Sequence, residues 1–272
     1  MQPNSPRGID RNPWVAAGGI SPNARLRLFC LPPAGGGAAL YRGWMQRLAP
    51  EVDVIPVTLP GREMRFAEPP ITRLDVLTDR AATGLRPLLD RPYALFGYSM
   101  GALLAHRLAH RLAAERLGEP IHLFAAAHRG PGIQRGGPEL HELPHDEFWQ
   151  RLATYDGMPR EVIENQELRG VLEPLLRADF SVVETAEPAP EAVLSCPITA
   201  IGGDADRSVT VEEIDAWRIA TVGNFERLTL PGHHFFIAHS QELLLRIVAE
   251  RLRNGPAQAA ILSSLRSRDS LK

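Results

Sequence analysis

The chain has 272 residues, 44% of them apolar and 23% charged, with 30 basic side chains against 32 acidic ones and a formal charge of −2. That composition belongs to a globular chain and excludes a disordered or fibrous one. Without an excess of positive charge there is no electrostatic ground for binding nucleic acid, and no stretch approaches the ~20 apolar residues of a membrane span.

Cys30 and Cys196 each sit in an apolar run and make no disulfide framework, so they read as inert core thiols in a reducing compartment. Residues 1–25 carry neither the cationic start and apolar stretch of a secretory signal nor its cleavage pattern. A cytoplasmic protein is expected. Residues 1–24 read as an N-terminal extension.

From there, short runs of β-formers alternate with segments of helical period. Strands are expected at 25–31, 52–58, 93–98, 121–127, 197–202 and 225–230, and helices at 41–48, 73–89, 100–116, 211–220 and 242–253. The clearest helix carries Leu103, Leu104, Leu108 and Leu112 on one face, with Arg107, Arg111 and Glu115 opposite. Such alternation predicts a mostly parallel sheet flanked by helices. The interval 130–190 breaks it, opening on a Gly/Pro-rich loop, passing through two or three helical patterns and closing on Glu187-Pro188-Ala189-Pro190. It is expected to be a helical lid inserted into a single domain spanning 25–253. Residues 254–272, with a short apolar piece at 259–262, are expected to be a frayed tail. No internal repeats appear.

The chemistry starts at Gly97-Tyr98-Ser99-Met100-Gly101, which stands between the third strand and the strongest helix. A strand-to-helix turn this tight strains its central residue and needs small neighbours, the arrangement of a nucleophile elbow in an α/β-hydrolase. An N-capping serine fits the same place but does not explain both glycines. A serine hydroxyl needs a histidine to take its proton and a carboxylate to orient that histidine. In this fold they follow in the order Ser, Asp, His. Gly203-Asp204-Ala205-Asp206 follows the fifth strand, and Pro231-Gly232-His233-His234-Phe235-Phe236 the sixth. Asp204 sits near enough to the strand end to cap the turn, which favours Asp206 as the acid; spacing alone does not decide between His233 and His234. His106 and His110, four apart on a helix, have metal-ligand spacing but no third ligand, and read as an ordinary helix face.

The tetrahedral intermediate needs N–H donors. The fold offers that of the residue after the nucleophile, Met100, and one from a Gly-rich loop, here Pro32-Pro33-Ala34-Gly35-Gly36-Gly37. That loop lacks the G-K-[ST] ending of a phosphate-binding loop.

Taken together, the chain resembles the type II thioesterases, discrete α/β-hydrolases that accompany modular polyketide and nonribosomal peptide synthases. The resemblance spans residues 14–253. It rests on Leu31-Pro32-Pro33-Ala34-Gly35-Gly36 (F-P-x-A-G-G in the family), Pro60-Gly61-Arg62-Glu63-Met64-Arg65 (P-G-R-E-x-R), the elbow (G-[HY]-S-M-G), Leu176-Arg177-Ala178-Asp179-Phe180 (L-R-A-D-[FY]) and Gly232-His233-His234-Phe235-Phe236 (G-x-H-F-F). Leu31 stands where an aromatic is usual and His233 where glycine is common.

The resemblance implies Ser99 as nucleophile, Asp206 as acid, His234 as base, and oxyanion donors on Ala34 and Met100. It further implies hydrolysis of acyl groups from the phosphopantetheine arm of a carrier protein and an editing role, and it implies no bound cofactor or metal; a monomer that meets acyl or peptidyl carrier domains transiently is expected. The lid's Phe148, Trp149, Leu152, Leu172, Leu175 and Leu176 suit either an acyl chamber or ordinary packing. Arg62 and Arg65 suit either an anionic partner or internal ion pairs. The rival functions are an oxyester hydrolase or lipase on the same fold, and a non-catalytic carrier-binding protein.

Overall fold

In a computed structural model of the chain, the structure describes residues 12–16, 21, 23–133, 136–155, 158, 160–187 and 192–254. The elements follow as β1 (Leu26–Leu31), α1 (Trp44–Leu48), β2 (Val52–Pro56), α2 (Leu74–Leu85), β3 (Tyr93–Tyr98), α3 (Met100–Ala114) and β4 (Leu123–Ala126). After these come α4 (His145–Leu152), α5 (Arg160–Glu164), α6 (Gln166–Glu184), β5 (Ile198–Gly203), α7 (Val211–Asp215), β6 (Phe225–Leu230) and α8 (Gln241–Asn254).

The strands form one sheet in the order β2-β1-β3-β4-β5-β6, every neighbouring pair parallel. This is the parallel sheet flanked by helices expected from the alternation, with the α/β-hydrolase layout that the elbow at residues 97–101 implies. Strands β1, β3, β4 and β5 are buried at every position, because helices cover both faces, and this is why each reads as an apolar run. The edge strand β6 alternates instead.

Successive side chains divide between two cores. Phe29 and Leu31 join Leu77 and Ala81 of α2 and Leu104 and Leu108 of α3. Leu28 and Cys30 point the other way and join Trp44, Phe96, Phe124 and, from α8, Leu244 and Val248. Both cysteines are buried and unpaired, and burial raises both thiols, Cys196 to about 12.

Two expectations change in three dimensions. Residues 12–16, taken as part of an extension, are built into the domain. Trp14 is buried among Leu77, Ala81 and Val57, its carbonyl accepts the Thr58 N–H at 3.0 Å, and Val15 bridges Val57. The large indole stacks where a Cβ at Gly84 would lie 2.1 Å from the ring. The helix expected at 41–48 is a 3-10 turn, Ala38–Tyr41, followed by the short α1. Residues 255–272, including the tail's apolar piece, lie outside the described residues.

The segment between β4 and β5 carries α4, α5 and α6. It packs an apolar cluster of its own from Leu140, Phe148, Trp149, Leu152 and Leu176. Asn165 caps α6, its side chain accepting the N–H groups of Glu167 and Leu168. Trp149 Nε1 donates to Glu173 at 2.7 Å, and Arg177 donates to the carbonyls of His141 and Leu143, so α4 and the 140–143 turn are held to α6.

Buried histidines set a pH limit on this fold. Burial lowers His106 to about 3 and His122, stacked on Phe124, to about 4. The unfolded chain protonates these rings near pH 6.5, so their contribution to stability is complete above that pH and is lost as pH falls through 6.5 toward 4. The urea midpoint should therefore drop between about pH 7 and pH 4, with a shallower slope in His122→Gln.

Candidate active site

Ser99 joins β3 to α3 at φ +52°, ψ −118°. A non-glycine residue at positive φ is strained by roughly 1–3 kcal/mol and persists only where its surroundings enforce it. Here they do. A Cβ at Gly97 would lie 2.1 Å from the Gly101 carbonyl oxygen, and one at Gly101 would lie 2.1 Å from that of Leu31. The two glycines let α3 begin directly against the end of β1. Ser99 makes no side-chain capping bond, so its hydroxyl is directed elsewhere.

It meets His234, whose Nε2 lies 3.1 Å from Ser99 Oγ. On the other side of the ring, His234 Nδ1 lies 2.9 Å from Asp206 Oδ2. A carboxylate only accepts, so Nδ1 carries the proton and Nε2 presents its lone pair to the serine. The Asp206 side chain is fully buried, and its other oxygen accepts the N–H groups of Ser208 and Val209 at 2.7 and 3.2 Å. The paired candidates now separate. Asp204 accepts the Gly232 N–H at 2.8 Å and ties the turn after β5 to the turn after β6. His233 is directed away, with Nδ1 3.0 Å from the Ala205 carbonyl.

The glycine-rich loop after β1 folds as a tight turn. Gly36 N–H donates to the Pro33 carbonyl at 3.0 Å, and Gly35 takes φ +68°, the left-handed value that a type II turn requires at its third residue. Gly35 N–H donates to Asp179 of α6 at 2.8 Å. The N–H groups of Ala34 and Met100 have no acceptor among the described residues.

The two arginines of the 60–65 segment are held inside the molecule. Arg62 makes two bonds to Asp179, at 2.7 and 2.9 Å, and a third to the Gly36 carbonyl at 2.9 Å. Arg65 pairs with Glu68, donates to the Thr58 carbonyl and lies over the Trp14 ring at 4.4 Å. Between them Glu63 accepts the Ala38 and Ala39 N–H groups at 3.1 and 3.0 Å. Internal ion pairing, not an exposed anion site, is what these residues form.

His106 and His110 face each other with their Nε2 atoms 3.1 Å apart, and His106 is buried against Trp217. No third metal-ligating group joins them among the described residues. The set that does have three, Glu139, His141 and Glu142, is a partly exposed surface cluster in which His141 also pairs with Glu184.

Sequence reasoning missed Tyr98. Its buried hydroxyl donates to the His234 carbonyl at 2.6 Å and accepts the Ile237 N–H at 3.3 Å, joining the residue before the serine to the loop that carries the histidine. An aromatic second residue in the elbow was the only signal. His128 was also passed over. Burial chiefly, and the charges of Arg129 and His234, lower it to about 4, so the His128 ring is neutral near neutral pH.

A family model described as Thioesterase domain matches residues 26–252. The chain belongs to the thioesterase family. It is 37% identical over 242 residues to the gramicidin S biosynthesis protein GrsT of Aneurinibacillus migulanus, covering 89% of this chain and 94% of that one. Among solved structures it is similar to the type II thioesterase BorB from the borrelidin biosynthetic cluster (TM-score 0.81, 38% identity, covering 89% of this chain and 98% of that one). It is likewise similar to the RedJ thioesterase of the prodiginine pathway in Streptomyces coelicolor (TM-score 0.79, 35% identity, covering 86% and 96%). The family acts as a hydrolase on thioesters. No helix among the described residues of this thioesterase is long and apolar enough to cross a membrane.

If Tyr98 fixes the His234 loop, Tyr98→Phe removes the two hydrogen bonds of its hydroxyl and keeps the ring in the core. Thioester turnover should fall at least about three- to tenfold in kcat with KM unchanged, since one net hydrogen bond alone supplies that range. Steady-state kinetics on an acyl-pantetheine thioester would measure it.

Proposed function

We propose that this thioesterase is a type II editing enzyme. It hydrolyses acyl thioesters on the phosphopantetheine arm of acyl or peptidyl carrier domains, clearing aberrant or stalled acyl groups from a polyketide or nonribosomal peptide synthase. The observation that carries the reading is the unbroken run from Asp206 through His234 to Ser99, at 2.9 and 3.1 Å. The synthase setting draws on relatives whose own names place them in gramicidin S and borrelidin biosynthesis. A cytoplasmic setting suits the two buried, unpaired thiols.

In this mechanism His234 Nε2 takes the Ser99 proton as Oγ attacks the thioester carbonyl. Asp206 steadies the imidazolium that forms. The Ala34 and Met100 N–H groups, without an acceptor among the described residues, receive the developing oxyanion; one such donor is typically worth about 10²- to 10³-fold in rate. Collapse breaks the C–S bond, and His234 returns its proton to the departing thiolate. A thiol, with a pKa of about 8.5, leaves more readily than an alcohol. Water then enters, His234 takes one of its protons, and the acyl-serine is cleaved to the free acid and Ser99. The chain supplies every group this sequence needs, without a metal or a bound cofactor.

The test is single-turnover release of short acyl groups from a phosphopantetheinylated carrier protein, beside matched oxyesters and Ser99→Ala. Release from the carrier should outpace the oxyesters and fall by at least about 10⁴-fold in the variant. Faster oxyester cleavage would mark a general esterase. Carrier binding without release from either substrate would mark an interaction protein.

A further inference from the structure

Resting on that mechanism, we infer that Asp179 of α6, together with Arg62, is a positioning residue for the Ala34 oxyanion donor, so that the donor is organised only while the inserted helix is seated. The Ala34 N–H lies in the peptide plane before its Cα, and that plane keeps its place in the site only while the turn around Ala34 is held. The plane before it, Pro33 to Ala34, is held by the bond from Gly36 N–H to the Pro33 carbonyl. The plane after it, Ala34 to Gly35, is held by the bond from Gly35 N–H to Asp179 Oδ2 at 2.8 Å. The first constraint belongs to the turn itself. The second comes from a helix 144 residues away in sequence.

Asp179 can play this part because Arg62 is there. An unpaired carboxylate that is only 1% exposed would be strongly disfavoured. Arg62 faces both of its oxygens, at 2.7 and 2.9 Å, and reaches on to the Gly36 carbonyl at 2.9 Å. Charge-assisted, bidentate bonds of this kind are short and directional. Leu176, three residues before Asp179 on the same helical face, seats against the turn as well: a Cβ at Gly35 would lie 2.6 Å from its Cδ2. Helix α6 thus grips the donor turn by one apolar and one ionic contact. A displacement of α6 that breaks the Asp179 bonds frees the turn that carries the Ala34 N–H and leaves the Gly35 N–H and the Arg62 charge without their carboxylate partner. The seating of α6 and the stabilisation of the oxyanion are thereby coupled in one salt bridge.

The experiment compares the parent with Asp179→Asn and, as a second variant that keeps the positive charge, Arg62→Lys. Three quantities are read on one acyl chain length: kcat and KM for an acyl-pantetheine thioester, the inhibition constant of the alkyl trifluoromethyl ketone, and the dissociation constant of the non-hydrolysable acyl-pantetheine thioether. The ketone forms a tetrahedral adduct with Ser99 and needs the oxyanion donors; the thioether needs only the binding surface. Expected are a loss of kcat of about 10²-fold, a matching loss of ketone affinity and thioether binding within about twofold of the parent. The inference is overturned if either variant keeps kcat and ketone affinity. It is equally overturned if thioether and ketone affinities fall together, since Asp179 would then merely hold the helix in place. Should Asp179→Asn not fold, Arg62→Lys carries the same comparison. A parent that does not hydrolyse the thioester refutes the mechanism itself; a fully active variant of an active parent refutes only the positioning role.

Discussion

The start of α3 lies so close against the end of β1 that no side chain fits between them. Gly101 faces the Leu31 and Pro32 carbonyls at distances that exclude a Cβ, and Gly97 faces the Gly101 carbonyl in the same way. The chain has to leave β3 and enter α3 within a single residue, which forces Ser99 to φ +52°. The strain is local, while the contacts that hold it belong to the central strands of the sheet, where every position is buried. The backbone here fixes the direction of the Ser99 Cα–Cβ bond, from which the hydroxyl reaches His234. The same close approach puts the loop after β1 beside the helix N-terminus, so that the Ala34 and Met100 N–H groups come from two neighbouring chain turns.

Around that point, the loops at one end of the strands are joined chiefly by bonds from side chains to backbone groups of another loop. Asp204 joins the turn after β5 to the turn after β6, Tyr98 joins the elbow to the His234 loop, and Glu63 joins the 60–65 segment to the 3-10 turn that follows the glycine loop. Asp179 and Arg62 add the inserted helix to the set. Backbone N–H and C=O groups in tight loops need partners when water is excluded, and here polar side chains supply them. An arrangement of this sort limits how far any one loop moves alone.

Fully buried parallel strands write themselves as apolar runs, so the sheet was legible from 25–31, 93–98 and 197–202 within a residue or two at each end. The elbow was legible because two glycines and a serine at a strand-to-helix junction have few other uses. Trp14 was not: a lone tryptophan in a Pro- and Asn-rich stretch has no periodicity, and its burial depends on the room left by Gly84 and on the Arg65 guanidinium over its ring. The helix expected from Tyr41 divided, since Gly43 lies in its middle and Glu63, from a different loop, takes up the N–H groups at the start of the preceding 3-10 turn.

The sequence by itself determined the order of elements, the parallel sheet and the residue types of the site, because hydrophobic period and glycine placement act over a few residues and leave a local trace. Only the tertiary structure separated His233 from His234 on geometric grounds, whereas position along the loop had already favoured Asp206 over Asp204. Adjacent residues share every local signal, and which of them reaches Ser99 depends on how the turns after β5 and β6 pack together. It likewise decided that Arg62 pairs with Asp179. Their 117-residue separation leaves no pattern in the chain, and a buried charge finds its partner only when the two segments meet.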